Sequence, residues 1–179
     1  MQCPSGEMVY TLVLGTSTCE GVEVQLLSRA HMDIDAKKKV LHFLKTQKLA
    51  VISTINSSQA TPESALIAYT EDKNLNLYFQ TGRHTRKAQN LKKNPHVSLV
   101  VGLALKDLIT VQYEGQAFKI TKNDEIQTSK KRFIEKDSPT TKEYLEHPTS
   151  IFFKVTPTWI GYSDYSGGKP HVFELKVFS

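Results

Sequence analysis

Three extended runs lie in sequence near the middle of the chain, separated by turns of only about four residues, and connections that short leave antiparallel pairing as the one available arrangement. Ala50–Asn56 is rich in β-branched residues, and Asn56-Ser57-Ser58-Gln59 reads as its turn. Thr61–Thr70 returns, and Glu71-Asp72-Lys73-Asn74 turns again into Leu75–Thr81. Alternation in that third run sets Leu75, Leu77 and Phe79 on one face and Asn76, Tyr78 and Gln80 on the other. The result is an antiparallel meander.

Helical spacing flanks this meander on both sides. Val40, Leu41, Phe43, Leu44 and Leu49 recur among lysines from Ala36 to Lys48, which predicts an amphipathic helix with one buried face. A second helix is expected from Thr85 to Lys93, ended by Asn94-Pro95. His96–Leu105 and Leu108–Thr121 read as strands separated by Lys106-Asp107. Asp124–Glu135 and Thr140–Glu146 read as polar surface helices, the first with Asp124 as N-cap. Ile151–Tyr162, which carries the only tryptophan, Trp159, is expected to be the last strand, and Ser166-Gly167-Gly168-Lys169-Pro170 a turn. Six antiparallel strands with helices inserted between them indicate a mainly β fold with α elements, a small barrel rather than a parallel α/β sheet.

A chain of 179 residues, 39% hydrophobic and 23% charged, suits one domain with its own core. Cys3 and Cys19 are too few for a disulfide framework, so a reducing, cytoplasmic setting is the expectation. No apolar run approaches the roughly 18–20 residues of a membrane helix, and Met8–Leu14 lacks the basic leader and cleavage site of a signal peptide. Residues 1–31 stand apart as an N-terminal extension, with Met8–Leu14 and Val22–Leu27 as short extended pieces. An accessory hairpin, a leader left at a cloning junction or alternative start, and a functional extension are all open for it. The remaining residues, 32–179, form the barrel domain.

Charge is distributed unevenly. The chain carries +5 overall, yet residues 73–106 hold seven of the 23 Lys and Arg and none of the 18 Asp and Glu, leaving 16 basic against 18 acidic residues elsewhere. Three of those seven fall in Thr81-Gly82-Arg83-His84-Thr85-Arg86-Lys87, at the start of the second helix, where backbone amides and cations together suit a phosphate. Positive charge at a helix N-terminus opposes the dipole and ordinarily needs a reason. A solvated basic terminus is the plain alternative. Nucleic-acid binding is weakly supported, because the pI of about 9.1 comes from one patch without interleaved aromatic residues.

Leu75–Thr81, then Thr85-Arg86-Lys87-Ala88, then Asn94-Pro95-His96-Val97-Ser98-Leu99 resemble the strand, phosphate turn, helix and next strand of the pyridoxamine 5′-phosphate oxidase-like family, flavin mononucleotide (FMN)-binding split β-barrels. The likeness covers roughly residues 36–165 and favours the general stress protein-like branch over the true oxidases. It implies that Arg86 and Lys87 hold the FMN phosphate with Thr85, helped by Arg83 and His84. It also implies that Glu63-Ser64-Ala65-Leu66 border the flavin ring through their main chain and that Gln80 and Thr81 precede the phosphate turn. Thr110 or Gln112 would reach the ring from a partner subunit, with Trp159 and Tyr162 as an aromatic wall; an exposed strand position is an equal alternative for the first two and plain core packing for the last two, and Ser64 and Thr81 have the alternative of ordinary strand residues.

Two departures from the true oxidases stand out, Glu63 where they carry Arg and Ala68 where they carry Lys, and Ser163–His171 lacks their Arg-x-His element. True pyridoxamine 5′-phosphate oxidase activity is therefore not expected. The resemblance implies a homodimeric FMN-dependent oxidoreductase with a small-molecule substrate or NAD(P)H as reaction partner. A non-catalytic flavin, deazaflavin or haem carrier on the same barrel is the alternative. No metal-ligand spacing, nucleophile elbow, phosphate-loop or dinucleotide motif occurs, and catalytic residues stay unassigned.

Overall fold

The computed structural model describes residues 34–102 and 108–176. The extended pieces expected within Met8–Leu27, the far end of His96–Leu105 and the Lys106-Asp107 connection lie outside the described residues. A first helix, α1, spans residues 34–46. After it come β1 (Leu49–Asn56), β2 (Thr61–Glu71), β3 (Leu77–Gly82), α2 (Arg86–Lys93), β4 (His96–Val101) and β5 (Ile109–Lys119). Two helices, α3 (Asn123–Glu135) and α4 (Lys142–Glu146), precede β6 (Ser150–Asp164) and β7 (His171–Lys176).

All strand pairs are antiparallel, in the order β3-β2-β1-β4-β5-β6-β7, and a further β3–β6 pairing closes the first six into a barrel. The fifteen-residue β6 makes closure possible by pairing with β3 through its first half, with β7 through its second, and with β5 along most of its length. β7 is an addition to the six expected strands. Its residues alternate without any becoming fully buried, as befits an edge strand outside the closed wall.

Inward-facing residues of the barrel, including Ile52, Tyr69, Leu77, Phe79, Leu99, Val111, Tyr113 and Val155, form the main core. Phe79 stacks on Phe153 at 5.2 Å, a contact worth about 0.5–1.5 kcal/mol beyond area burial. Helix α1 closes one side of this core with Val40, Phe43 and Leu44, the buried face that its periodicity predicts.

β3 differs from expectation in being buried on both faces. Tyr78, with Ile120, Phe133, Leu145 and Phe152, forms a second, smaller core beneath α3 and α4. These two helices are thus amphipathic covers rather than polar surface pieces. The strand also starts at Leu77 instead of Leu75, because Leu75 takes a positive φ of 65° inside a turn organised by Asp72. The Asp72 carboxylate accepts from the amides of Asn74 and Asn76, from Asn76 Nδ2 and from the Tyr78 hydroxyl, at 2.8–3.0 Å. Burial pushes its pKa up, and these donors outweigh that and hold it below the ordinary carboxylate value. In α3 the cap position falls on Lys122, so Asp124 lies in the first turn, where its charge still complements the dipole.

Candidate functional site

Thr85 caps α2: its side chain accepts from the Ala88 amide at 3.4 Å and donates to the Gly82 carbonyl at 2.9 Å. A threonine cap of this kind is worth about 1 kcal/mol. Thr81, almost fully buried at the end of β3, places its hydroxyl 3.0 Å from that of Thr85. No acidic residue occupies the first turn of α2; Arg86 and Lys87 stand there instead.

The missing negative charge is supplied from β2. Glu63 forms an ion pair with Arg86 and accepts from Asn56 Nδ2 at 3.0 Å and from Asn90 Nδ2 at 2.9 Å. Asn90 also donates to Thr54 Oγ1 at 3.0 Å, which ties α2 to β1. The bonds from Asn56, then Asn90, then Arg86 hold the Glu63 carboxyl below its ordinary pKa, so it is anionic at neutral pH. Asn56 and Asn90 are site residues that sequence reasoning missed. The i,i+4 spacing of Arg86 and Asn90 is the signal that could have found Asn90.

Lys87 is in a different situation. It is half-buried, and among the described residues its ammonium has no carboxylate within salt-bridge range and no hydrogen-bond acceptor. Desolvation lowers its pKa. A cation in that position has lost part of its water without gaining an anion.

Beside this cradle the barrel wall is split. β2 pairs with β1 over Thr61–Ala68 but with β3 only over Tyr69–Glu71, so among the described residues the main chain of Glu63-Ser64-Ala65-Leu66 has a strand partner on one side alone. Outward from the wall, Ser64 pairs across to Ser53 and Ser98, and Leu66 to Val51, Val100 and Gln112. Leu66 and Val100 are exposed on this face, at 57% and 37%. Thr110 and Gln112 share the outward face on β5, three strands and so about 14 Å from β2.

Other expected residues are kept apart by strand geometry. Gln80 lies on the opposite face of β3 from Thr81 and donates to the Tyr144 carbonyl at 3.3 Å and to Ser150 Oγ, committing it to α4. Trp159 faces outward over Gly161, where an added Cβ would come within 2.5 Å of the indole, and donates to Glu174 Oε2 at 3.1 Å. Tyr162 faces inward, stacked on Phe173 at 4.8 Å and edge-on to Phe43 at 6.3 Å. It lies three positions after Trp159, an odd spacing that puts the two rings on opposite sides of the wall, so they cannot line one surface. Arg83 turns away from the cradle and donates to the Pro148 carbonyl at 3.2 Å.

Among the described residues no cluster of three His, Cys, Asp or Glu could hold a metal, and no helix is long and apolar enough to cross a membrane.

The family profile described as pyridoxamine 5′-phosphate oxidase matches residues 36–164. Curated proteins yield no match. Among solved structures, the chain is similar to general stress protein 26 of Bacillus anthracis, with a TM-score of 0.61, 24% identity and coverage of 78% of this chain and 98% of that one. A protein related to general stress protein 26, of the pyridoxinephosphate oxidase family, from Clostridium acetobutylicum has a TM-score of 0.59, 15% identity and coverage of 78% and 94%. A haem-binding protein from Mycobacterium smegmatis has a TM-score of 0.62, 12% identity and coverage of 76% and 57%. At these identities the structural likeness shows the fold.

Proposed function

The chain belongs to the pyridoxamine 5′-phosphate oxidase family, and on that premise we propose that it is an FMN-binding oxidoreductase that acts on a small molecule as a homodimer, with the flavin at the subunit interface. The observation that carries this reading is Lys87, a half-buried cation without an acceptor among the described residues, at a helix start that already offers amides. A phosphate dianion would supply the missing partner. Arg86, Lys87, Thr85 and Thr81 would hold it, with Arg86 shared between the phosphate and Glu63.

The unpaired edge of β2 suits the flavin ring, because main-chain N–H and C=O groups of Glu63–Leu66 there can meet its hydrogen-bonding rim without rearrangement. When bound, the flavin supplies the hydride chemistry, and the chain's residues fix its position and exclude water from one face. The apolar strip of Leu66, Val51 and Val100 would be covered by a second subunit, which would bring its own Thr110, Gln112 and Trp159 towards the ring.

A second reading, a haem or flavin carrier without turnover, is favoured by the likeness to a haem-binding protein and by the prior engagement of Arg86 with Glu63. The test is the visible spectrum of the purified protein and of the protein reconstituted with FMN, followed by anaerobic addition of NAD(P)H. Flavin bands that bleach support the oxidoreductase. A Soret band, or flavin bands that NAD(P)H does not bleach, would replace it with the carrier.

A further inference from the structure

A cavity of about 400 Å3 opens at one end of the barrel, on the side of α2 turned away from Glu63. Its floor is apolar: Leu91 from α2, Ala117 from β5, and Ile151 and Phe153 from β6. Its rim is cationic, formed by Arg83, Lys92 and Lys119, and among the described residues no Asp or Glu lines it. Among the described residues none of these three cations has a carboxylate within 4.0 Å, whereas other surface lysines such as Lys48 and Lys130 are paired. Phe118, 54% exposed, extends the apolar surface outward. None of the lining residues belongs to the group gathered around Glu63 and Arg86.

The geometry points to a second small-molecule site, for an amphipathic carboxylate with an aliphatic tail of medium length. The volume falls at the lower end of small-molecule pockets, roughly 300–1,000 Å3, which suits a chain of about ten carbons and excludes a dinucleotide. An apolar floor removes the tail from water. Three unpaired cations at the mouth select an anionic head, and the absence of acidic residues leaves a cationic amphiphile without a partner. The alternation that puts Ala117 inside the barrel also carries Lys119 to its mouth, so tail and head contacts come from the same strand. Lys92 is held by Gln89 Oε1 at 3.2 Å, and Arg83 by the Pro148 carbonyl; both are neutral acceptors that leave the charges uncompensated.

Titration of the purified protein with decanoate, followed by calorimetry and by the methyl signals of Leu91 and Ile151, tests the site. One saturable decanoate per chain is expected, with affinity that falls as salt rises. Lys92→Gln combined with Lys119→Gln, both on exposed side chains, should weaken decanoate about threefold to tenfold while the circular dichroism spectrum is unchanged. Decyltrimethylammonium should not bind, and FMN should neither displace decanoate nor be displaced by it. Equal binding of the cationic amphiphile, an unaltered affinity in the double variant, or competition with FMN would each overturn the proposal. The last of these would assign the carboxylate to the flavin site instead.

Discussion

Replacing Lys87 with Met separates its roles in folding and binding, because the two readouts should move in opposite directions. The methionine keeps the apolar stem and removes a half-buried ammonium that has no acceptor among the described residues. An uncompensated polar group costs about 1–3 kcal/mol when fully buried, so half-burial sets a gain of about 0.5–1.5 kcal/mol for the ligand-free protein. For a domain of this size that is roughly 1–6 °C in Tm. The sign agrees with linkage. A lysine whose folded pKa lies below its ordinary 10.5 binds fewer protons folded than unfolded, so its penalty is complete below the folded value and is relieved as pH rises towards 10.5. In binding, the variant loses one charge-assisted contact to phosphate, about 1.5–3 kcal/mol, or roughly 10- to 150-fold in Kd. Flavin fluorescence quenching with FMN and with riboflavin, which lacks the phosphate, reads this directly: wild type should prefer FMN, and most of that preference should disappear in Lys87→Met. An unchanged FMN-to-riboflavin ratio would refute the phosphate assignment, and a lower Tm in the ligand-free variant would refute the account of an uncompensated cation.

Glu63→Gln should flatten the acid limb of a stability–pH profile, since a carboxylate held below its ordinary 4.5 contributes stability that is complete above that pH and lost as pH falls through the folded value; a profile identical to wild type below pH 4.5 counts against the Asn56–Glu63–Asn90 cluster. Lys136, buried with Glu71, donating to the Leu44 carbonyl at 2.9 Å and lying 3.9 Å from the Tyr69 ring, anchors the end of α3. Lys136→Met should cost about 3–5 kcal/mol in urea unfolding, most of it recovered when Glu71→Leu is added, because the first change leaves a buried carboxylate alone. Leu66→Lys should convert the expected homodimer of 20.2 kDa chains to monomer in light scattering and release flavin with it; a monomeric wild type that binds flavin stoichiometrically would contradict the shared site.

The meander and the extent of α2 were legible because their determinants are local: short turns, β-branched runs, a basic helix ended by Asn94-Pro95. What escaped the sequence was long-range. Asn76, Tyr78 and Gln80 alternate as an outer face should, and the burial of Tyr78 and Gln80 depends on helices that begin some forty and sixty residues later. His171–Lys176 carries a period of two, yet as an edge strand it has too little buried surface to stand out from a polar tail. Arg86 and Lys87 read as equivalent neighbours. They are distinguished by burial and by Glu63, 23 residues upstream, which reaches the exposed Arg86 and leaves the half-buried Lys87.

The length of β6 bears on how the chain must fold. Its first half joins β3 at a separation of more than sixty residues, for example Gly82 with Ser150, so ring closure waits for the last long strand to be made. High contact order of this kind places folding in the millisecond-to-second range rather than the microsecond range. During synthesis β1–β5 emerge first, and the outer edges of β3 and β5 stay without their β6 partner until about residue 164 has left the ribosome. The nascent chain therefore exposes two open edges at once, and a truncation before Ser150 should aggregate instead of yielding a smaller barrel.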